Sequence, residues 1–278
     1  MSDHKSHGPL GEKVTYPDQY DPTCLHAIPR QQGRRELGID STKPLPFSGV
    51  DIWNAYELSW LNASGKPVVA CAEFRFAAGS PNIIESKSFK LYLNSFNQTR
   101  IADLDILKRA LERDLSLASG AAVELSLFTA DRWEDAYGVS CPEGECLDDL
   151  DICPTSYSPN SDLLVVENTE ICSEHLYSNL LRSRCPVTSQ PDWASVEIRY
   201  TGPKIQRESL LAYIVSFREH DEFHEHCVER IFSDISKRCQ PEYLSVYARY
   251  TRRGGLDINP WRCSDKSLTP NNTRGVRQ

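Results

Sequence analysis

The sequence predicts an α+β protein made of two copies of one unit, each an antiparallel sheet with helices on one face. Three observations predict it. One stretch of the chain repeats another, the repeated stretches alternate with a period of two, and apolar stripes at helical spacing follow each of them.

The repeat comes first in the argument. Ser59 to Phe76 (SWLNASGKPVVACAEFRF) aligns with Ser183 to Tyr200 (SRCPVTSQPDWASVEIRY) at an offset of 124, matching Pro67 with Pro191 and Ala70 with Ala194. Glu73-Phe74-Arg75-Phe76 then meets Glu197-Ile198-Arg199-Tyr200. Further on the offset is 121, where Tyr92 meets Tyr213, Ser95-Phe96 meets Ser216-Phe217 and Arg109 meets Arg230. One change of loop length accounts for such a slip.

Each element is legible twice. Ala70, Ala72, Phe74 and Phe76 alternate with Glu73 and Arg75, and Val196, Ile198 and Tyr200 alternate with Glu197 and Arg199. That pattern marks half-buried strands. A partner strand precedes each (about 50–61 and 174–184), across a connection with Pro and Ser that reads as a hairpin. Two helices follow in each copy. The second of them carries Leu104, Leu107, Leu111 and Leu115 in the first copy, with Gly120 placed to stop it, and Phe223, Cys227, Ile231 and Ile235 in the second. A closing strand holds Val123, Leu125 and Leu127, or Leu244, Val246 and Ala248. The unit is β-β-α-α-β, with room for a further strand.

These readings divide the chain into an N-terminal extension over 1–45 without clear periodicity, a first unit over 46–130, an acidic surface linker over 131–162 and a second unit over 163–278. The linker holds Glu134, Asp135, Glu143, Glu145, Asp148, Asp149, Asp151 and Asp162 against the single cation Arg132.

Composition narrows the function. A net charge of −8 over 278 residues argues against direct nucleic-acid binding, which runs on a surplus of Lys and Arg, and favours a small diffusible substrate. The polar start MSDHKSHGPLGEKV is no export signal, and no apolar run approaches a membrane span. A cytoplasmic protein is expected, with its ten cysteines as thiols.

The repeat supplies an internal control. Cys185 falls where the first copy has Leu61, Asp192 opposite Val68, and His224 opposite Asp103. Three chemically capable residues thus occur together in one copy only. Cys185 closes the first strand of a hairpin and Asp192 opens the second, so pairing brings them within about 5.5 Å between Cα atoms if they are directly opposite. Arg182 and Arg184 precede the cysteine, and positive charge favours the reactive thiolate. His224 and Glu225 start the last helix. A cysteine beside an acid and a histidine is a reaction centre; singly, each also fits a small buried core residue, a turn residue or a helix-start residue.

The string Glu85-Ser86-Lys87-Ser88-Phe89-Lys90-Leu91-Tyr92 reads by periodicity as the amphipathic start of a helix. It closely resembles the signature of the NADPH-dependent 7-cyano-7-deazaguanine reductases, enzymes of the queuosine pathway of tRNA modification. The resemblance extends to Cys185-Pro186, Asp192, His224-Glu225 and Arg252-Arg253-Gly254-Gly255-Leu256-Asp257-Ile258-Asn259-Pro260, in the family's order over about 175 residues. It is similar to the long, two-copy form of that family. The resemblance implies tandem tunnelling-fold units, which assemble into barrels, and a homodimer as the expected assembly.

It also implies a mechanism. The Cys185 thiolate attacks the nitrile carbon to give a covalent thioimide, Asp192 supplies the proton, and His224 assists or orients the substrate. Ile84, Glu85, Ser86, His224 and Glu225 bind the deazaguanine base, Glu85 and Glu225 accepting from its N–H edge. Ser86, Lys87, Arg253 and Gly254 hold NADPH, the co-substrate, and no metal is implied. Without the resemblance, Arg253-Gly254-Gly255 reads first as a turn after a strand. No G-x-G-x-x-G or P-loop motif is present. Rival readings remain: a zinc hydrolase like GTP cyclohydrolase I with Cys185, His224, His226 and Cys227 as ligands, a metal or redox segment at Cys141, Cys146 and Cys153, and a binding module without chemistry.

Overall fold

The computed structural model describes residues 16–278 apart from Ser41, Tyr137 and Val187. The N-terminal stretch read above as no export signal lies outside the described residues. In chain order the elements are β1 (Ala27–Pro29), α1 (Gln31–Glu36), β2 (Ser48–Leu61), β3 (Pro67–Ala77), β4 (Asn82–Ile84), α2 (Ser86–Asn94), α3 (Leu104–Ser119), β5 (Val123–Thr129), β6 (Glu145–Cys146), β7 (Val166–Arg184), β8 (Pro191–Ile205), α4 (Arg207–Ser216), α5 (His224–Cys239), β9 (Tyr243–Tyr250) and β10 (Leu256–Cys263). The class is α+β with antiparallel pairing of the long strands. Contacts separate two compact units: residues 16–32, Ile52–Tyr137 and Arg253–Leu256 in one, Gly33–Asp51, Gly138–Arg252 and Asp257–Gln278 in the other.

In the first unit the strand order is β5-β3-β2. Ala70, Ala72, Phe74 and Phe76 are all buried, as their alternation requires, and Phe74 pairs with Leu125 across the ladder to β5. Phe89 of α2 packs edge-on to Phe74 and to Trp53, each at 5.2 Å between centroids. Leu107, Leu111 and Leu115 of α3 are fully buried, while Leu104 at the first helical position is largely exposed. Gly120 stops α3 in the left-handed conformation at φ 77°. Part of the aperiodic N-terminal stretch is held by the first unit: β1 pairs antiparallel with β4, and Arg30 is buried on Ser80.

The second unit runs β10-β9-β8-β7-β6. Helix α4 packs on β7, and α5 on β8 and β9. The linker's acids meet cations of this unit: Glu143 pairs with Arg199, Glu145 with Arg207 and Asp162 with Arg238. The C-terminal tail crosses the face of β9 turned away from the helices, with Asn271 accepting from Tyr247 and Gln278 from Arg249. All of β9 beyond Tyr243 is therefore buried, not alternate residues only.

The duplication holds at the level of single hydrogen bonds. Tyr92 of α2 donates to Asp114 of α3 at 2.7 Å, and Tyr213 of α4 donates to Asp234 of α5 at the same distance. Ser95 Oγ caps the Tyr92 carbonyl and Ser216 Oγ the Tyr213 carbonyl, both at 2.6 Å.

A buried ionic cluster ties residues 33–51 into the second unit. Arg262, wholly buried, donates to Asp51 at 2.7 Å and to Glu229 at 2.9 Å, while Arg34 reaches both oxygens of Glu229 at 2.7 and 2.9 Å. Phe47 lies against both guanidiniums. A buried charge stripped of its partner is costly, so Glu229→Ala, which leaves two guanidiniums facing a gap, should destabilise this unit by about 3–5 kcal/mol. Urea unfolding followed by circular dichroism measures it; a loss below about 1 kcal/mol, the worth of a surface pair, contradicts it.

Candidate active site

The second unit carries Cys185, Asp192 and His224, the three residues that the internal repeat singles out. β7 ends at Arg184, and Cys185 begins the hairpin loop, its N–H donating to the Gln190 carbonyl at 3.0 Å and its carbonyl accepting from Ser189 at 2.9 Å. Ser189 closes that loop in the left-handed region at φ 54°, a conformation a non-glycine residue adopts at some cost. In the β7–β8 ladder Ser183 is the partner of Asp192 and Arg184 of Pro191. The expectation that Cys185 and Asp192 sit directly opposite is thus off by two residues: they belong to the same end of one hairpin, diagonally placed. Both are 6% exposed.

His224 is the first residue of α5, and its Nε2 lies 3.8 Å from Asp192 Oδ1. That distance is beyond hydrogen-bond length, and a small adjustment converts it to a hydrogen bond. Glu225 and His226 beside it are buried, and Gly33 fits against the His226 ring so closely that a Cβ there would come within 2.4 Å of Nδ1. Arg184 forks onto Asp221 at 2.9 Å, and Arg182 donates to the Arg218 carbonyl and lies over Trp193. Those guanidiniums are engaged by neighbours of their own.

The internal control sharpens against the structure. Leu61 exchanges backbone bonds with Thr99 and Ile101 as Arg184 does with His220 and Glu222, and the Asn62 N–H reaches Lys66 as the Cys185 N–H reaches Gln190. The counterpart of Cys185 is Asn62, a turn residue that accepts from Ser64 and Lys66, and not Leu61. The reason is one extra residue in the second hairpin loop. Likewise Asp103 caps α3 where Phe223 precedes α5, so His224 matches Leu104. The three residues remain peculiar to the second copy.

The zinc-ligand reading of Cys227 does not survive its surroundings. It is fully buried in the stripe of α5, and burial pushes its thiol up to about 12, so it stays neutral.

The first unit carries the other sequence-predicted residues. Ile84 ends β4, and Glu85 is the N-cap of α2, fully buried, its two oxygens accepting from the Lys87 N–H at 2.8 Å and the Ser88 N–H at 2.7 Å. Burial raises its carboxyl above the usual range, against the lowering pull of those two N–H groups and of Lys90 and Lys87. Ser86 and Lys87 open the helix, and Lys87 Nζ lies 2.5 Å from Tyr16 Oη and 4.4 Å from the ring centre. Arg253-Gly254-Gly255-Leu256 forms a tight turn closed from the Arg253 N–H to the Leu256 carbonyl at 2.8 Å, with φ of 59° and 76° at the two glycines. Only glycine fits there: a Cβ on Gly255 would come within 2.6 Å of Glu57, and one on Gly254 would press on Lys90 at 3.1 Å. Ser86, Lys87, Arg253 and Gly254 therefore share one unit, with Lys90 as a neighbour.

Residues 16–127 match the family described as nitrile reductase, 7-cyano-7-deazaguanine-reductase N-term, and residues 191–269 the QueF-like protein family. The NADPH-dependent 7-cyano-7-deazaguanine reductase of Chromobacterium violaceum is 56% identical over 277 residues, covering 98% of this chain and 97% of that one. The chain belongs to this reductase family. The reductase of Bordetella avium is also 56% identical, over 98% of this chain and 99% of its own. Among solved structures the archaeosine synthase QueF-Like in the apo form is a remote match, with a TM-score of 0.30 and 18% identity over 36% of this chain and 96% of that one. Among the described residues no helix is long and apolar enough to cross a membrane.

A carboxyl whose folded pKa lies above its unfolded value adds stability that is full below the unfolded value and is lost as pH rises through the folded one. Relative to Glu85→Gln, the native chain should therefore gain stability between pH 7.5 and pH 5. Denaturation of both proteins at the two values checks it, and a stability difference that does not change with pH contradicts it.

Proposed function

We infer that this chain reduces the nitrile of 7-cyano-7-deazaguanine to the aminomethyl base with NADPH, the activity for which its full-length relatives are named. The observation that carries the reading to particular residues is Cys185 and Asp192 at one end of the β7–β8 hairpin with His224 Nε2 at 3.8 Å from the carboxylate.

A nitrile is a poor hydride acceptor, and covalent addition of a thiol changes that. The Cys185 thiolate bonds to the nitrile carbon, one C–N π bond breaks, and the nitrogen takes a proton from Asp192, which the proton lost from sulfur then replaces; the net change is addition of S–H across the triple bond. The resulting thioimide carries a C=N bond open to reduction. NADPH, when bound, supplies the hydrides, two per nitrile, and each addition consumes one further proton. Asp192 and His224 are the groups placed to deliver those protons, and release of the first reduced product returns sulfur to Cys185 as the thiol. Glu85 and Glu225 hold the base through its N–H edge, with Ile84 and Ser86. Each oxygen of Glu85 already accepts one backbone N–H and keeps a second lone pair for the base. Ser86, Lys87, Arg253 and Gly254 hold NADPH: a helix start, two cations and a turn without side chains suit a phosphate-bearing ligand. A homodimer of these two-copy chains, acting on the free base and not on nucleic acid, completes the reading.

Two experiments test it. Cys185→Ala should abolish NADPH oxidation with the nitrile base while leaving the circular dichroism unchanged, and Asp192→Asn should lower turnover by about 10²–10⁴-fold, the usual worth of a positioned proton donor. Undiminished turnover in Cys185→Ala contradicts the reading. Sedimentation at micromolar concentration should give twice the 31.5 kDa chain mass, and a monomer contradicts the dimer.

A further inference from the structure

We propose that Tyr250 is a positioning residue for this reaction, its ring fixing the His224 imidazole and its buried hydroxyl steadying the Asp192 carboxylate once that group has given up its proton. The inference rests on the function proposed above and adds a residue to it.

The placement follows from register. Tyr250 is the last residue of β9 and the ladder partner of Ala194, two positions from Asp192 on β8. Its side chain accordingly emerges on the same face as Asp192 and as Ser183, the partner of Asp192 on β7. Helix α5 covers that face, and its first turn meets the tyrosine. The His224 ring stands edge-on to the phenol with centroids 4.0 Å apart and planes at 89°, closer than most aromatic pairs. His224 is the first residue of the helix, and this contact holds the phenol against the edge of its imidazole.

The hydroxyl acts separately from the ring. Tyr250 is 1% exposed, yet its Oη forms no hydrogen bond of good geometry, nor does the buried Ser183 Oγ nearby. The groups that act on it are Cys227 and Asp192, with Ser183 as the neutral neighbour. Burial holds both the phenol and the Cys227 thiol in their protonated forms. The phenol is therefore a permanent donor, and Asp192 is the carboxyl group that acts on it. A buried donor without an acceptor is a cost to the resting fold, recovered when the carboxylate forms.

The first copy agrees. The ladder that pairs Tyr250 with Ala194 pairs Thr129 with Ala70, so the counterpart of this tyrosine is a threonine bonded to Asp131. Tyrosine at this position goes with Cys185, Asp192 and His224 as a fourth residue peculiar to the second copy.

The test compares the native chain, Tyr250→Phe and Tyr250→Leu, each also in an Asp192→Asn background, by rapid-quench mass spectrometry of adduct formation with 7-cyano-7-deazaguanine and by steady-state kinetics. Tyr250→Phe should slow adduct formation and kcat about tenfold, as expected for one hydrogen bond to a charged group, with KM for the base unchanged within about twofold. In Asp192→Asn the same change should have no further effect, because no charge forms. Tyr250→Leu, which also loses the ring, should raise KM. Thermal stability of Tyr250→Phe should equal or slightly exceed that of the native chain, since at rest the buried hydroxyl has no hydrogen bond of good geometry to lose; a marked loss would show a structural role and overturn the proposal. Equal rates in Tyr250→Phe overturn it while leaving the proposed function intact. A native chain that forms no adduct overturns both.

Discussion

The register of the β7–β8–β9 ladder is the constraint on which the second unit's chemistry depends. Because side chains alternate along a strand, a slip by one residue would send Asp192, Ser183 and Tyr250 to the face away from α5 and from His224. Several features pin that register: strict alternation of Ala194, Val196, Ile198 and Tyr200, the hairpin loop closed through Ser189, and the helices that cover the buried face. Asp192 stays next to a histidine only because the whole sheet agrees on where it belongs. Cys185, the proposed nucleophile, sits one residue beyond the strand, where the loop backbone and not the ladder holds it.

Electrostatics divides the molecule by purpose. In the second unit the largest buried charges, Arg262 and Arg34 with Asp51 and Glu229, neutralise one another and fasten a strap to a sheet and a helix. Three surface acids, Glu143, Glu145 and Asp162, serve a similar end more weakly, each near an arginine and each largely in water. Asp192 and Glu85 differ. Both are buried carboxyl groups at element starts, and the second is kept from ionising freely by its own burial. Groups held at such a cost are where ligand chemistry is to be sought.

Much of the fold was readable in the chain because duplication prints each element twice. Phe74 and Ile198, or Leu111 and Ile231, are modest signals singly and firm ones as a pair. The fine alignment was less legible. A single extra loop residue moved the counterpart of Cys185 from Leu61 to Asn62, and helix caps moved that of His224 from Asp103 to Leu104. Loop length and capping are backbone properties that side-chain similarity samples poorly. Residues 16–45 escaped because short elements such as β1 and α1 are held by partners distant in sequence, as Arg34 is by Glu229. Glu85 was singled out by resemblance, but its role as a helix cap needed coordinates. Tyr250 continues the alternation of Leu244, Val246 and Ala248, so a core reading hides it; only the ring of His224 above it shows otherwise.

The account stands on a covalent bond between one sulfur and the nitrile carbon. Intact-protein mass spectrometry after incubation with 7-cyano-7-deazaguanine, with NADPH left out, tests it most directly. One added mass equal to that of the base, mapped by digestion to Cys185 and missing from Cys185→Ala, is the predicted result. A native chain that turns the nitrile over with NADPH and yet carries no such mass, or carries it on another residue, contradicts the account.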